Sequence, residues 1–341
     1  MSQESSEWLN NMTLIGFTDK RGNAWHYRQS LQGTESNHYA GAIPFADVIR
    51  RLFNWEPVEG TLQSTYVTPD GVTTVSDPTR KTIIHPNTGD ILGIFKLGYQ
   101  IHGYAQWLLK NVSNIVGDTL QIGSAGLLRK GAVGWVQVEL PETVTTPEGV
   151  AFRPFVTAAT SLDGTLASTY QTGNQLVVCD NTLAGSLADT SHMVKVRHSK
   201  NSLGRIDDVR SVLGIIERQA DTFSADIKRL CETTVTDKQW NAFLVETLGE
   251  APGADATKNA HTIYERKHDE YSRLWNKDAM SADWHGTAWG VIQVANTYAH
   301  HSANVRGASR VERNMMSAVR GEFQDADAAT LATLERVLAT V

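Results

Sequence analysis

Cysteine is scarce in this chain: Cys179 and Cys231 are the only two in 341 residues. Two thiols exclude a disulfide-dense scaffold and most structural zinc sites, which need several closely spaced ligands. Positive charge is also in short supply. The 31 Lys and Arg stand against 37 Asp and Glu, a formal net charge of −6. That excludes a protein coated in cations, although a local basic groove survives a negative average. No stretch approaches the roughly 18 apolar residues of a spanning helix. The opening residues, MSQESSEWLNNM, have neither the basic nor the apolar segment of a secretory signal. The expectation is a cytoplasmic protein without a membrane partner.

The usual catalytic signatures are missing too. Gly123–Ala132, GSAGLLRKGA, lacks the Gly-Lys-Ser/Thr ending of a phosphate loop, and no GxGxxG opens a helix after a strand. There is no HExxH; His300 and His301 are adjacent rather than four apart, and His261, His268 and His285 sit among helices without cysteine partners. No pair of carboxylates marks a metal-dependent nuclease. These absences predict no cofactor, no metal and no catalytic residue.

What is present is an ordinary globular composition, 41% hydrophobic and 20% charged. The periodicity divides the chain. Between residues 61 and 200, segments rich in Val, Ile, Thr and aromatics read as strands: Thr61–Thr68, Thr82–His85, Ile91–Lys96, Leu127–Leu140, Val150–Thr160 and Gln175–Val178. Turn signals such as Pro69-Asp70-Gly71 and Asp163-Gly164 bound them. Phe45 to Phe53, after Pro44, and Ile101–Val116 read as helices. From Ile206 the pattern becomes helical, with Ile206, Val209, Leu213, Ile216, Ala220, Phe223, Ile227 and Leu230 at three-four spacing. Four heptads suit either a coiled coil or a long helix lying within its own fold, and the second is the reading adopted. Helices follow at Thr236–Leu248, Thr257–Asn276, Ala282–Ser302, Ala308–Val319 and Asp325–Val341, with a small-residue linker at Gly249–Thr257. The fold class is therefore α+β. A curved antiparallel sheet packs on a long helix at 203–231 within a unit spanning 1–248, and a helical region spans 258–341.

Two stretches carry candidate chemistry. In Gln175–Leu187, QLVVCDNTLAGSL, an apolar strand runs into Cys179-Asp180-Asn181-Thr182, read as the cap of a helix over Thr182–Ala188. Cys179 is then a small buried residue. The alternative is a nucleophile at a helix N-terminus, with His192 or His198 as base. In Val194–Asn201, VKVRHSKN, strand alternation puts Lys195 and Arg197 on one face, with Lys200 and Arg205 beyond. Such cations blunt a solvated edge or track a phosphate backbone. Arg129-Lys130, in a glycine-punctuated strand pair, is a second basic site. Tyr99, Tyr104, Trp107 and Trp135 are candidate stacking residues that more commonly belong to a core.

Several of these segments, taken in order, carry a resemblance. They are Phe45-Ala-Asp-Val-Ile-Arg-Arg-Leu-Phe-Asn-Trp55, Gly93-Ile-Phe-Lys-Leu-Gly-Tyr-Gln100, Ala125-Gly-Leu-Leu-Arg-Lys-Gly131, Thr160-Ser-Leu-Asp-Gly164, Val178-Cys-Asp-Asn-Thr-Leu183 and Val196-Arg-His-Ser-Lys-Asn201. Together they resemble the phage/plasmid-like proteins containing domain of unknown function 932. That likeness implies a mobile genetic element, where recombination, replication and defence evasion are common tasks. The layout is also similar to phage single-strand annealing recombinases, which bend a sheet around a long helix and assemble into rings or filaments. The resulting expectation is a homo-oligomeric protein that binds and anneals single-stranded DNA without bond chemistry. Lys195, Arg197, Lys200, Arg205, Arg129 and Lys130 would neutralise phosphates. A host or phage replication protein is a possible partner. The alternatives are an enzyme at the 179–198 corner, or a non-catalytic binder of a host factor.

Overall fold

The computed structural model describes residues 6–23, 28–116, 120–140, 142–176, 182–184, 193–196, 215–278, 281–307 and 309–341. It begins with short helices α1 (Ser6–Asn11) and α2 (Thr18–Arg21) flanking strand β1 (Thr13–Ile15). Next comes α3 (Phe45–Leu52), whose N-cap is Pro44. Strands β2 (Val58–Thr68), β3 (Gly71–Ile84) and β4 (Ile91–Lys96) form a small antiparallel sheet. Helix α4 starts as a π-helical turn, Tyr104–Leu109, and continues as Lys110–Ile115.

The main sheet runs β1-β5-β6-β8-β9-β10, with β7 against β8 and β11 against β9, every pair antiparallel. Its later strands are β5 (Gln121–Leu128), β6 (Val133–Glu139), β7 (Val144–Thr145), β8 (Ala151–Ser161), β9 (Ser168–Leu176), β10 (Thr182–Ala184) and β11 (Met193–Val196). The central strands are apolar on both faces because both faces are covered. On one side Ile122, Ala125, Leu127, Val136, Val138, Ala158 and Tyr170 meet Val48, Leu52, Tyr104, Trp107 and Val112 of α3 and α4. On the other, Leu128, Val133, Trp135 and Ala159 meet Leu9, Val319 and the Met315-Met316 pair. Gly126 and Gly134 make room here, since a Cβ at the first would overlap the Trp135 indole and at the second the Tyr104 ring.

The C-terminal helices are α5 (Ile215–Glu232), α6 (Asp237–Leu248), α7 (Lys258–Lys277), α8 (Ala288–Thr297, extended by a π-helical turn Tyr298–Ser302), α9 (Arg310–Arg320) and α10 (Glu322–Thr340). Thr236 and Gln239 cap α6 reciprocally: Thr236 Oγ1 accepts from the Gln239 N–H, and Gln239 Oε1 accepts from the Thr236 N–H. The heptad stripe packs inside the molecule. Phe223, Ile227 and Leu230 of α5 are buried with Trp240, Phe243, Trp275, Trp289, Leu331 and Leu334, and Phe223 meets Phe152 of β8 edge-to-face at 4.8 Å. The described part of the expected 203–231 helix starts at Ile215; Leu203–Gly214 lie outside the described residues. No helix among the described residues is long and apolar enough to cross a membrane.

Three sequence expectations are corrected. Thr182–Ala184 is a strand rather than the start of a capped helix, because β9 offers a backbone ladder that outweighs local capping preference. Leu127–Leu140 divides into the ends of two strands around a turn at residues 129–132. Residues 72–76, outside the segments expected as strands, are fully paired to β2.

Phe223→Ala removes a fully buried ring from the junction of sheet and helices. The expected cost is about 3–5 kcal/mol, read as a lower midpoint in urea unfolding.

Candidate nucleic-acid interface

The β5–β6 turn holds Arg129 and Lys130 at φ 55° and 56°, the left-handed region that non-glycine residues enter rarely. It is held there by closure on both sides. The Gly131 N–H bonds to Leu128 O, the Tyr104 hydroxyl donates to Gly131 O at 2.5 Å, and the Leu162 N–H reaches Ala132 O at 2.6 Å. This conformation spreads the two cations. Arg129 Nη1 lies 3.3 Å from Asp163 Oδ2 in the β8–β9 turn, and Lys130 Nζ lies 3.6 Å from Asp90 Oδ1 in the β3–β4 turn. Both carboxylates are fixed in advance. Asp163 accepts from the Thr165 N–H and hydroxyl; Asp90 accepts from the Thr88 hydroxyl, which holds its carboxyl below the ordinary value, opposed by burial and assisted by Lys130.

Segments far apart in sequence thus meet at one end of the sheet. Trp55 stacks on His85 at 3.9 Å, Phe95 stacks on Tyr99 at 3.8 Å, and Gly164 lies against Phe95. Burial pushes the His85 imidazole below its ordinary value, partly opposed by Asp90, and its Nδ1 accepts from the Asn87 N–H. Of the four proposed stacking residues, Tyr104, Trp107 and Trp135 are core, which removes them as platforms for bases; Tyr99 remains partly exposed.

Strand β11 runs toward this same end, because Val196 pairs with Ser168, the first residue of β9 after the Asp163 turn. The backbone of Lys195 lies opposite Thr169, one residue further in. Arg197, Lys200 and Arg205 lie outside the described residues, as do Cys179, His192 and His198. The sequence had no signal for the pairing of Arg129 and Lys130 with Asp163 and Asp90, which it offered only as turn formers. The structure places each of these two cations beside a carboxylate, so a phosphate at either would compete with an aspartate already in place. The Lys130–Asp90 pair is exposed, and such pairs contribute roughly 0–1 kcal/mol, so the competition there is shallow; Arg129 and Asp163 are more enclosed, their side chains 29% and 12% exposed.

A second constellation, also unannounced by the sequence, occupies the opposite end of β6 and β8. Glu139 is shared by Arg21 (3.4 Å) and Arg153 (3.3 Å), all three side chains nearly sealed from solvent. Arg21 also donates to Gly16 O and Gly123 O, and Arg153 donates to Thr143 Oγ1 and lies over the Phe17 ring. Gly123 is required by the carboxylate, which would overlap any Cβ there. Nearby, burial first and the Arg21 charge second push the His38 imidazole down to about 4. Two arginines on one carboxylate tie the N-terminal segment to the sheet.

Among the described residues, neither the helices nor the second cysteine offers a competing centre. A groove of about 720 Å³ beside α7 carries charges of both signs, and its Glu270 is already held by Arg273 and Ser302. Burial, with Glu148 and Glu232 nearby, pushes the Cys231 thiol up to about 11, so it stays protonated at neutral pH.

The model of the family described as "Domain of unknown function (DUF932)" matches residues 91–319, and the chain belongs to that family. The match takes in β4 to α9, and so all three groups that meet at Arg129, Asp163 and β11. No curated protein and no solved structure matches the chain.

Glu139→Ala leaves two guanidinium groups buried without their carboxylate; a loss of about 3–5 kcal/mol is expected in urea unfolding. The His38 value gives a pH test. Its folded value lies below the ordinary 6.5, so its contribution is complete above about pH 6.5 and is lost as the pH falls towards 4. A ¹H–¹⁵N titration should show His38 neutral at pH 5, and His38→Gln should flatten the fall in stability between pH 6.5 and 4.

Proposed function

We propose that the protein binds single-stranded DNA and anneals complementary strands, as an oligomer of a phage or other mobile element, without making or breaking covalent bonds. One observation carries this reading. Strand β11, with Lys195, ends at the same end of the sheet as the Arg129–Lys130 turn. A strand that follows this end would pass the chain that continues into Arg197, Lys200 and Arg205. Annealing needs only a positive track that holds the backbone while the bases stay available. The partnered state of Arg129 and Lys130 fits weak, exchangeable contacts, in which a phosphate displaces an aspartate and leaves again.

Anisotropy of a labelled oligonucleotide tests the proposal. Six phosphate contacts predict that log K falls by about 4 per tenfold increase in salt, and Arg197→Ala with Lys200→Ala should reduce that slope by about 1.4. Asp163→Asn with Asp90→Asn frees Arg129 and Lys130 and should tighten binding several-fold at low salt. Absence of binding to any oligonucleotide at low salt would reject the proposal.

A further inference from the structure

The β2–β3 hairpin has two parts. At its base, Val58–Thr61 pairs with Lys81–Ile84, and β4 lies alongside Arg80–Ile84. Beyond a break in register, Leu62–Thr68 pairs with Gly71–Asp77 as a two-stranded arm. Pro78, Thr79 and Arg80 have no partner in β2 at the break, where Asp77 accepts from the Thr79 N–H and hydroxyl. Among the described residues no strand lies beside either edge of the arm.

The arm's side chains do not suit solvent. Val67 is 82% exposed, Val72 71%, and Tyr66 and Val75 50% each. Val67 faces Val72 across one surface, while Tyr66 and Val75 lie diagonally on the other, so each face carries an exposed apolar pair among Ser, Thr and Gln. A two-stranded ribbon is marginal in water and gains stability from a third strand. Edges left open are normally protected by lysine, proline or a bulge. Here Pro78, the bulge and the cations stand at the base, Pro69 lies in the tip turn and not on an edge, and the one charge between Leu62 and Ser76 is Asp70 beside it.

We propose that this arm joins two copies of the chain, the β2 edge of one pairing antiparallel with the β2 edge of the other about a two-fold axis near Thr65. Charge selects the occupant. The arm has no cation to offer a phosphate backbone or an acidic partner, whereas two identical neutral edges meet without opposing like charges. The β3 edge is disfavoured because it runs into Pro78 and the β4 flank. Centring on Thr65 sets Thr65 opposite Thr65, with Ser64 opposite Tyr66 and Gln63 opposite Val67. The surface supplies the self-association that the annealing proposal needs, but does not depend on DNA.

Light scattering after size exclusion, without nucleic acid, tests it. The full chain should have the mass of a dimer or a multiple of it at micromolar concentration. Replacing Gln63–Val75 by Asn-Gly should raise the dimer dissociation constant at least tenfold while keeping the far-UV spectrum, and Val67→Glu with Val72→Glu should do likewise. Thr65→Cys, in a Cys179→Ser, Cys231→Ser background, should cross-link on oxidation. A monomeric full chain, an oligomer unchanged by both arm variants, or an arm that instead drives sedimentation with phosphatidylcholine vesicles would overturn the proposal. Oligonucleotide binding by the shortened-arm protein is read separately, so loss of one property leaves the other proposal standing or falling by its own measurement.

Discussion

Burial of the central sheet on both faces is the constraint on which the rest of this molecule depends. Strands β6 and β8 are in contact with the α3–α4 layer on one side and with C-terminal helices on the other. A strand in that position has no solvent side on which to put a polar residue. Glu139 and Arg153 therefore need each other and Arg21, since a charge sealed from water without a partner is far costlier than an exposed one. The same constraint gives His102, Ser168 and Thr160 a buried hydrogen-bonded chain, with 2.7 Å between successive polar atoms.

The turns at the end of the sheet are where that constraint relaxes. There the backbone leaves the covered layer and charged side chains reach water, Lys130 and Asp90 freely and Arg129 in part, while Asp163 stays largely enclosed. The rigidity of the site comes from below: the Tyr104 hydroxyl fixes Gly131, and the Trp55–His85 and Phe95–Tyr99 stacks support the neighbouring turns. Loops set on a rigid, fully packed sheet can present charges in a fixed pattern without a deep cavity. The arm has the opposite character, with apolar residues exposed on a ribbon that touches little of its own chain.

Much of the architecture was legible because hydrophobic periodicity is local. Ile91–Lys96 and the stripe from Ala220 to Leu230 were readable as a strand and as an amphipathic helix, and Thr236 announced the start of α6. The arm was less so. Its second strand holds Asp77 and Pro78, which look like loop, and only the neighbouring β2 shows that the bulge interrupts the strand without ending it. The basic turn was visible as Arg129-Lys130, but its aspartates were not, because 34 and 40 residues separate the members of those pairs (Asp163 from Arg129, and Asp90 from Lys130).

The sequence by itself determined the α+β class, the order of strand-rich and helical halves, and the helix that packs by its own stripe, because each follows from the spacing of apolar residues along the chain. Only the tertiary structure decided that Thr182 continues a sheet instead of starting a helix, and that Glu139 lies between two arginines. It also decided that Arg129 and Lys130 face carboxylates. These outcomes depend on which distant backbone and side-chain groups arrive at the same place, and burial fixes that through contacts no local pattern encodes.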